Sequence, residues 1–92
     1  MKKPKIAVFM DWYLPGTKAG GPVRSLFSLV TLLKNYFDFY IITSNKDLGS
    51  NKEYSDISPN TLFLKENVYY YYFTDAQLNE ETFISLLNEI KP

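Results

Sequence analysis

Residues 13–25 read YLPGTKAGGPVRS, and they concentrate the chemistry of this 92-residue chain. Two prolines, three glycines, Lys18 and Arg24 fall within thirteen positions. Gly20 and Gly21 have no Cβ, so a ligand can approach their backbone closely. Pro22 suits the first position of a helix, where its missing N–H has no partner to lose. A helix that starts there points unpaired N–H groups and the positive end of its dipole back at the glycines. Lys18 and Arg24 add charge. The chemistry offered is recognition of an anion, a phosphate or a sugar diphosphate, with Gly20, Gly21, Lys18 and Arg24 as binding residues. A glycine-rich joint of this kind also serves merely as a turn, and the spacing alone leaves both readings open. Gly16 after Pro15 predicts a type II turn.

Other chemistries are narrowed by what the chain lacks. The segment follows neither the dinucleotide fingerprint G-x-G-x-x-G nor a Walker loop, for no G-K-[ST] is present. There is no histidine and no cysteine, which removes the commonest general base and every thiolate ligand. No catalytic residue, metal site or cofactor is assigned. Asp11, at the end of the first apolar run, could take a divalent cation as in receiver domains, but it has no adjacent acid.

These residues need elements to position them. KIAVFM, Lys5–Met10, is a short continuous apolar run that suits a strand buried on both faces. From Pro22 to Phe37, apolar Val23, Leu26, Phe27, Val30, Leu33 and Phe37 recur at helical spacing. Leu29 and Leu32 widen that face, which predicts a helix covered on more than one side. FDFYIIT then reads as a second buried strand, completing a βαβ unit. Residues 44–59 are polar and read as a loop. Thr61–Leu64 and Val68–Phe73 are short strands around a tight Glu66-Asn67 turn, with the tyrosines of YYYY facing alternate sides. A last helix, capped by Asp75 or Asn79, carries Phe83, Leu86, Leu87 and Ile90 on its apolar face. The fold class is α/β: one partial Rossmann-like domain over residues 1–92, a parallel sheet with flanking helices, truncated before the fourth major strand. In a doubly wound order the first strand would lie inside the sheet, so truncation leaves its outer edge open.

With 46% hydrophobic and 17% aromatic residues the chain can fill a core. Net charge is zero, but residues 1–34 carry Lys2, Lys3, Lys5, Lys18, Arg24 and Lys34 against Asp11 alone. A basic end suits phosphates or an anionic membrane face. The run behind Met1 is too short for a secretory leader and is followed by Asp11, and nothing approaches a membrane span. The expected location is cytoplasmic, with peripheral contact at the inner face of the cell membrane as one option. No nucleic-acid partner is expected.

The segments DWYLPGTKAGGPVRSLFSLVTLL and FDFYIITSNKDLGS, the tyrosine-rich strand and LLNEIKP together resemble the start of family-four glycosyltransferases. These are B-type, two-domain, retaining enzymes that build bacterial surface polysaccharides. The most specific part is PG-x-KAGGP-x-RS, from Pro15 to Ser25, supported by ITS-x-x-DLG, from Ile42 to Gly49. The resemblance implies an acceptor-side domain, with Gly20 and Gly21 in the cleft near the diphosphate of a nucleotide-sugar donor. It implies a glycan or lipid-linked acceptor and a C-terminal half, encoded separately or downstream, that binds the donor. The family's cleft histidine and E-x7-E segment have no counterpart in these 92 residues, so the implied object is a fragment without activity of its own. The alternative is a non-catalytic phosphate- or glycan-binding module.

Overall fold

Strand β1 spans Lys5–Met10, helix α1 spans Gly21–Leu33, and strand β2 spans Asp38–Ser44. Strands β3, Phe63–Lys65, and β4, Val68–Phe73, precede helix α2, Glu80–Ile90. The computed structural model describes residues 3–18, 20–75 and 79–91; Lys2, Pro92 and the Ala19 of the glycine segment lie outside them. The elements follow the apolar periodicity closely. Helix α1 ends at Leu33, four residues before Phe37: the Tyr36 N–H takes the Leu33 carbonyl at 2.9 Å in a tighter i→i−3 turn, sharing it with the Phe37 N–H at 3.1 Å, and β2 begins at Asp38.

The four strands form one mixed sheet in the order β1-β2-β4-β3. Strands β1, β2 and β4 are parallel, with Ile6 opposite Phe39 and Ile41 opposite Tyr70. Strand β3 returns antiparallel to β4, with Phe63 opposite Tyr70. Glu66 and Asn67 both take positive φ, 51° and 66°, the signature of a two-residue type I′ hairpin. The sheet is thus parallel over three strands and not throughout.

Side chains alternate across the sheet, and each face takes one helix. On one face Phe39, Ile41 and Val68 pack with Val23 and Val30 of α1, and with Tyr13. On the other, Tyr40, Ile42 and Phe73 pack with Leu86 and Ile90 of α2. Tyr69 and Tyr71 lie on the α2 face and Tyr70 on the α1 face, as alternation requires. Full burial of an isoleucine such as Ile41, Ile42 or Ile90 stabilises by about 1.5–3 kcal/mol each. Helix α2 starts at Asn79, whose side chain accepts the Thr82 N–H at 2.8 Å.

Helix α1 is covered on one side only among the described residues. Leu29 and Leu32, expected beneath further packing, are 48% and 72% exposed. The expected second cover is not provided by these elements. Strand β1 is one of the two edge strands, and its outer edge has no partner among the described residues. No helix among the described residues is long and apolar enough to cross a membrane.

Candidate functional site

The joint between β1 and α1 opens at the carboxyl edge of the parallel strands, the edge where ligands bind in open α/β sheets. It begins with a turn from Tyr13 to Gly16. The Leu14–Pro15 peptide is cis, and the Gly16 N–H donates to the Tyr13 carbonyl at 3.1 Å. A cis-proline in the third position defines a type VI turn, which corrects the type II turn expected from Pro-Gly. Pro15 is the third residue of this turn, not the second.

Residues far along the chain hold this turn. The Tyr72 hydroxyl donates to the Leu14 carbonyl at 2.5 Å, and the Tyr54 hydroxyl to the Tyr13 carbonyl at 3.4 Å. Gly16 is buried beneath them. A Cβ there would fall onto the Tyr54 hydroxyl and lie 2.6 Å from Asp47 Oδ1. Glycine at 16 is therefore a packing requirement. The Asp47 carboxylate accepts from the backbone N–H of Thr17 and of Lys18, each at 3.3 Å, and from Leu48 at 2.8 Å. The first anion bound by the glycine segment is thus an internal one.

Beyond Lys18 the backbone is open. Gly20 takes φ 70° and ψ −121°, a region that side chains rarely enter, and its carbonyl accepts the Arg24 N–H at 3.2 Å. Helix α1 has no side-chain cap and no acid in its first turn, so its positive end is uncompensated. No atom lies within 4 Å of the Cβ position at Gly20 or Gly21. The side-chain positions are open, although the Gly20 N–H itself donates to the Thr17 carbonyl at 3.0 Å.

The four expected binding residues do not converge fully. Gly20 and Arg24 line one small hollow of about 190 Å³ with Leu14, Thr17, Val23 and Phe27. Lys18 and Gly21 are exposed, and Lys18 is engaged through its backbone N–H rather than its ammonium group. A larger hollow of about 450 Å³ lies at the carboxyl edge, lined by Phe9, Asp11, Trp12, Pro22, Leu48 and Phe83 among others. Phe83 stands edge-on to both Phe9, at 5.3 Å, and Phe73, at 5.6 Å. This hollow is mostly apolar, with Asp11 at its rim.

Behind the joint, burial sets the electrostatics. The Tyr13 ring is fully buried, and burial, then the neighbouring Tyr70, pushes its phenol up to about 12. Burial pushes the Tyr72 phenol higher still, reinforced by Tyr70, Tyr13 and Tyr54. Tyr54 is raised by burial and by the Asp47 carboxylate, and its hydrogen bond to the backbone at Gly16 opposes the shift. Tyr13 Oη, Thr43 Oγ1 and Asn45 Oδ1 are buried without a partner among the described residues. The Asn45 backbone is tied on both sides: its N–H donates to Phe73, and its carbonyl accepts from Tyr54. Lys46 and Asp75 form an ion pair at 2.9 Å across the same edge.

Sequence reasoning did not find Asp47, Tyr54 and Tyr72 as the residues that fix the joint. Asp47 lies within the ITS-x-x-DLG segment, but nothing in its spacing shows which backbone it serves. Among the described residues no group of three or more acidic side chains gathers around Asp11 or elsewhere as a metal site. The fold and the joint define a small α/β domain with a four-stranded mixed sheet and two helices. No protein-family model, no curated protein and no solved structure matches the chain.

Proposed function

We propose that this chain is the acceptor-side part of a two-domain, retaining glycosyltransferase, with a partial Rossmann-like fold. The complete enzyme would move a sugar from a nucleotide-sugar donor to a glycan or lipid-linked acceptor in bacterial surface polysaccharide synthesis. One observation carries the reading. The Gly20-Gly21 backbone lies at the carboxyl edge with open space in front of it, at the uncapped start of α1. The Gly20 N–H is held by the Thr17 carbonyl at 3.0 Å, so a donor diphosphate seated there would accept from the Gly21 N–H and the start of α1 as the sugar–phosphate bond breaks and negative charge develops. Arg24 and Lys18, both exposed at this end, would add long-range attraction. The chain supplies no histidine for proton transfer, and on its own it is expected to transfer no sugar.

The test is a titration of isotopically labelled chain with pyrophosphate and with a nucleoside diphosphate, following backbone amide resonances. The reading expects the Gly20 and Gly21 amides to shift and saturate in roughly the millimolar range, about −4 kcal/mol of binding. Arg24→Glu should weaken that response. If the glycine amides stay still while the Trp12–Phe83 hollow responds, the diphosphate assignment fails.

A further inference from the structure

Strand β1 presents an unpaired edge, and both helices leave apolar side chains beside it. Strand alternation and the Asp38 N–H bond to the Pro4 carbonyl, at 2.8 Å, direct the even-numbered backbone groups of β1 toward β2. The N–H and C=O groups of Lys5, Ala7 and Phe9 therefore face outward. On α1, the flank carrying Phe27, Thr31 and Lys34 lies over Glu66, Val68 and Tyr70, toward β4. The opposite flank, toward β1, carries Leu29, 48% exposed, while Leu32 lies across the helix from buried Val23 and is 72% exposed to solvent. On α2, Thr82, Ser85 and Glu89 lie over Leu62 and Tyr71. Ile84, on the other flank, is 50% exposed above the same open edge. Natural edge strands carry bulges, prolines or inward charges that prevent pairing; Ile6–Met10 carries none.

We infer that this edge is a dimer interface, and that its occupant is β1 of a second copy, antiparallel about a two-fold axis through Val8. Side-chain parity and the outward backbone groups permit such a register, and the residues complement one another in it. Val8 meets its own copy, Ala7 meets Phe9, and Ile6 meets Met10. Lys5 meets Asp11 on both sides of the axis, giving two symmetric opposite-charge pairs. Small faces large, apolar faces apolar, and charge faces its opposite along the whole seam. A two-fold axis perpendicular to the sheet keeps both α1 helices on one face. They then lie two to three strand spacings apart, roughly 10–14 Å, and the Leu29 flanks face each other across the seam. The contact is isologous, so it closes at two copies and does not propagate. This inference does not rest on the glycosyltransferase reading, under which a further strand of a longer chain would compete with the second copy for the same edge.

The experiment is sedimentation equilibrium of the chain over a wide concentration range, with folding of each variant checked by circular dichroism. The wild-type chain should sediment as a dimer. Lys5→Asp and Asp11→Lys should each raise the dissociation constant roughly tenfold or more, because two symmetric contacts change sign together. The Lys5→Asp/Asp11→Lys double variant should recover dimerisation. Both Lys5 variants lose the Lys5 hydrogen bond to the Ile90 carbonyl, so comparing them isolates the intermolecular pair. Leu29→Glu, at a side chain already 48% exposed, should dissociate the dimer without unfolding the protomer. A chain that stays monomeric at high concentration overturns the inference and leaves the edge to a strand from other polypeptide. A dimer indifferent to Leu29→Glu, or a double variant that fails to re-pair, overturns it equally.

Discussion

The carboxylate of Asp47 accepts the backbone N–H of Lys18, twenty-nine residues earlier in the chain. It accepts the Thr17 N–H as well, so one side chain pins the loop after β1 to the loop after β2. Asp47→Ala removes a charged acceptor from three backbone donors at the surface, those of Thr17, Lys18 and Leu48, and should cost about 1–2 kcal/mol. Each kcal/mol lowers the melting temperature of a domain this size by roughly 4–8 °C. Asp47→Asn keeps one acceptor oxygen and should lose less. Thermal melts of the two variants beside wild type check this; equal melting of all three would refute it.

The three glycines of the joint should separate into three kinds. Gly16→Ala places a methyl group on Tyr54 and Asp47 and should destabilise by about 1–3 kcal/mol. Gly20→Ala meets no neighbour but must hold φ 70°, a strain of about 1–3 kcal/mol. Gly21→Ala has open space and no positive φ, and should stay within about 0.5 kcal/mol of wild type. Chemical denaturation ranks them. If Gly21→Ala proves the worst of the three, the loop geometry described above is wrong.

Alkaline pH should unfold the chain by way of its buried phenols. Tyr13 titrates at about 12 in the folded chain because burial disfavours the phenolate, against about 10 when unfolded. Between those values the unfolded state holds fewer protons, so stability falls as pH rises. It is fully present below about pH 10 and declines from there through the folded value. Tyr72 acts in the same direction. Tyr13→Phe has no hydrogen bond to lose within the described residues, since the Tyr13 hydroxyl is unpartnered. It should therefore flatten the alkaline loss with little change at neutral pH. Denaturant midpoints measured against pH, for wild type and Tyr13→Phe, decide the matter.

Asn79→Ala removes the side chain that caps α2 and should cost about 1 kcal/mol. Helix α2 covers the second face of the sheet through Leu86 and Ile90, so fraying there should expose Tyr40 and Ile42. Hydrogen exchange of α2 amides should quicken selectively, with α1 amides unchanged.

The elements were legible because their periods were. Lys5–Met10 and Val68–Phe73 end where the apolar runs end, and the positive φ of Glu66 and Asn67 confirms the tight hairpin. The end of α1 was not legible, since Phe37 continues the helical spacing while the chain past Leu33 tightens into a turn closed by the Tyr36 N–H on the Leu33 carbonyl. Exposure of Leu29 and Leu32 was also hidden: periodicity identifies an apolar face but does not say whether anything lies against it. At the joint, the openness of Gly20 and Gly21 could be anticipated from composition. The roles of Gly16, Asp47, Tyr54 and Tyr72 could not, because they depend on contacts between residues 29 to 58 positions apart.

The hydrogen bond from Tyr72 to Leu14 has a consequence in time. The glycine segment is made early in synthesis, yet its turn is held by hydroxyls at positions 54 and 72. Loop closure over such separations precedes any gain from the contact. A nascent chain that has just released α1 therefore carries the segment without its anchors. Asp47 and Tyr54 can engage it first, but its full set of anchors is complete only when β4 brings Tyr72, so a part of the site translated early is finished late.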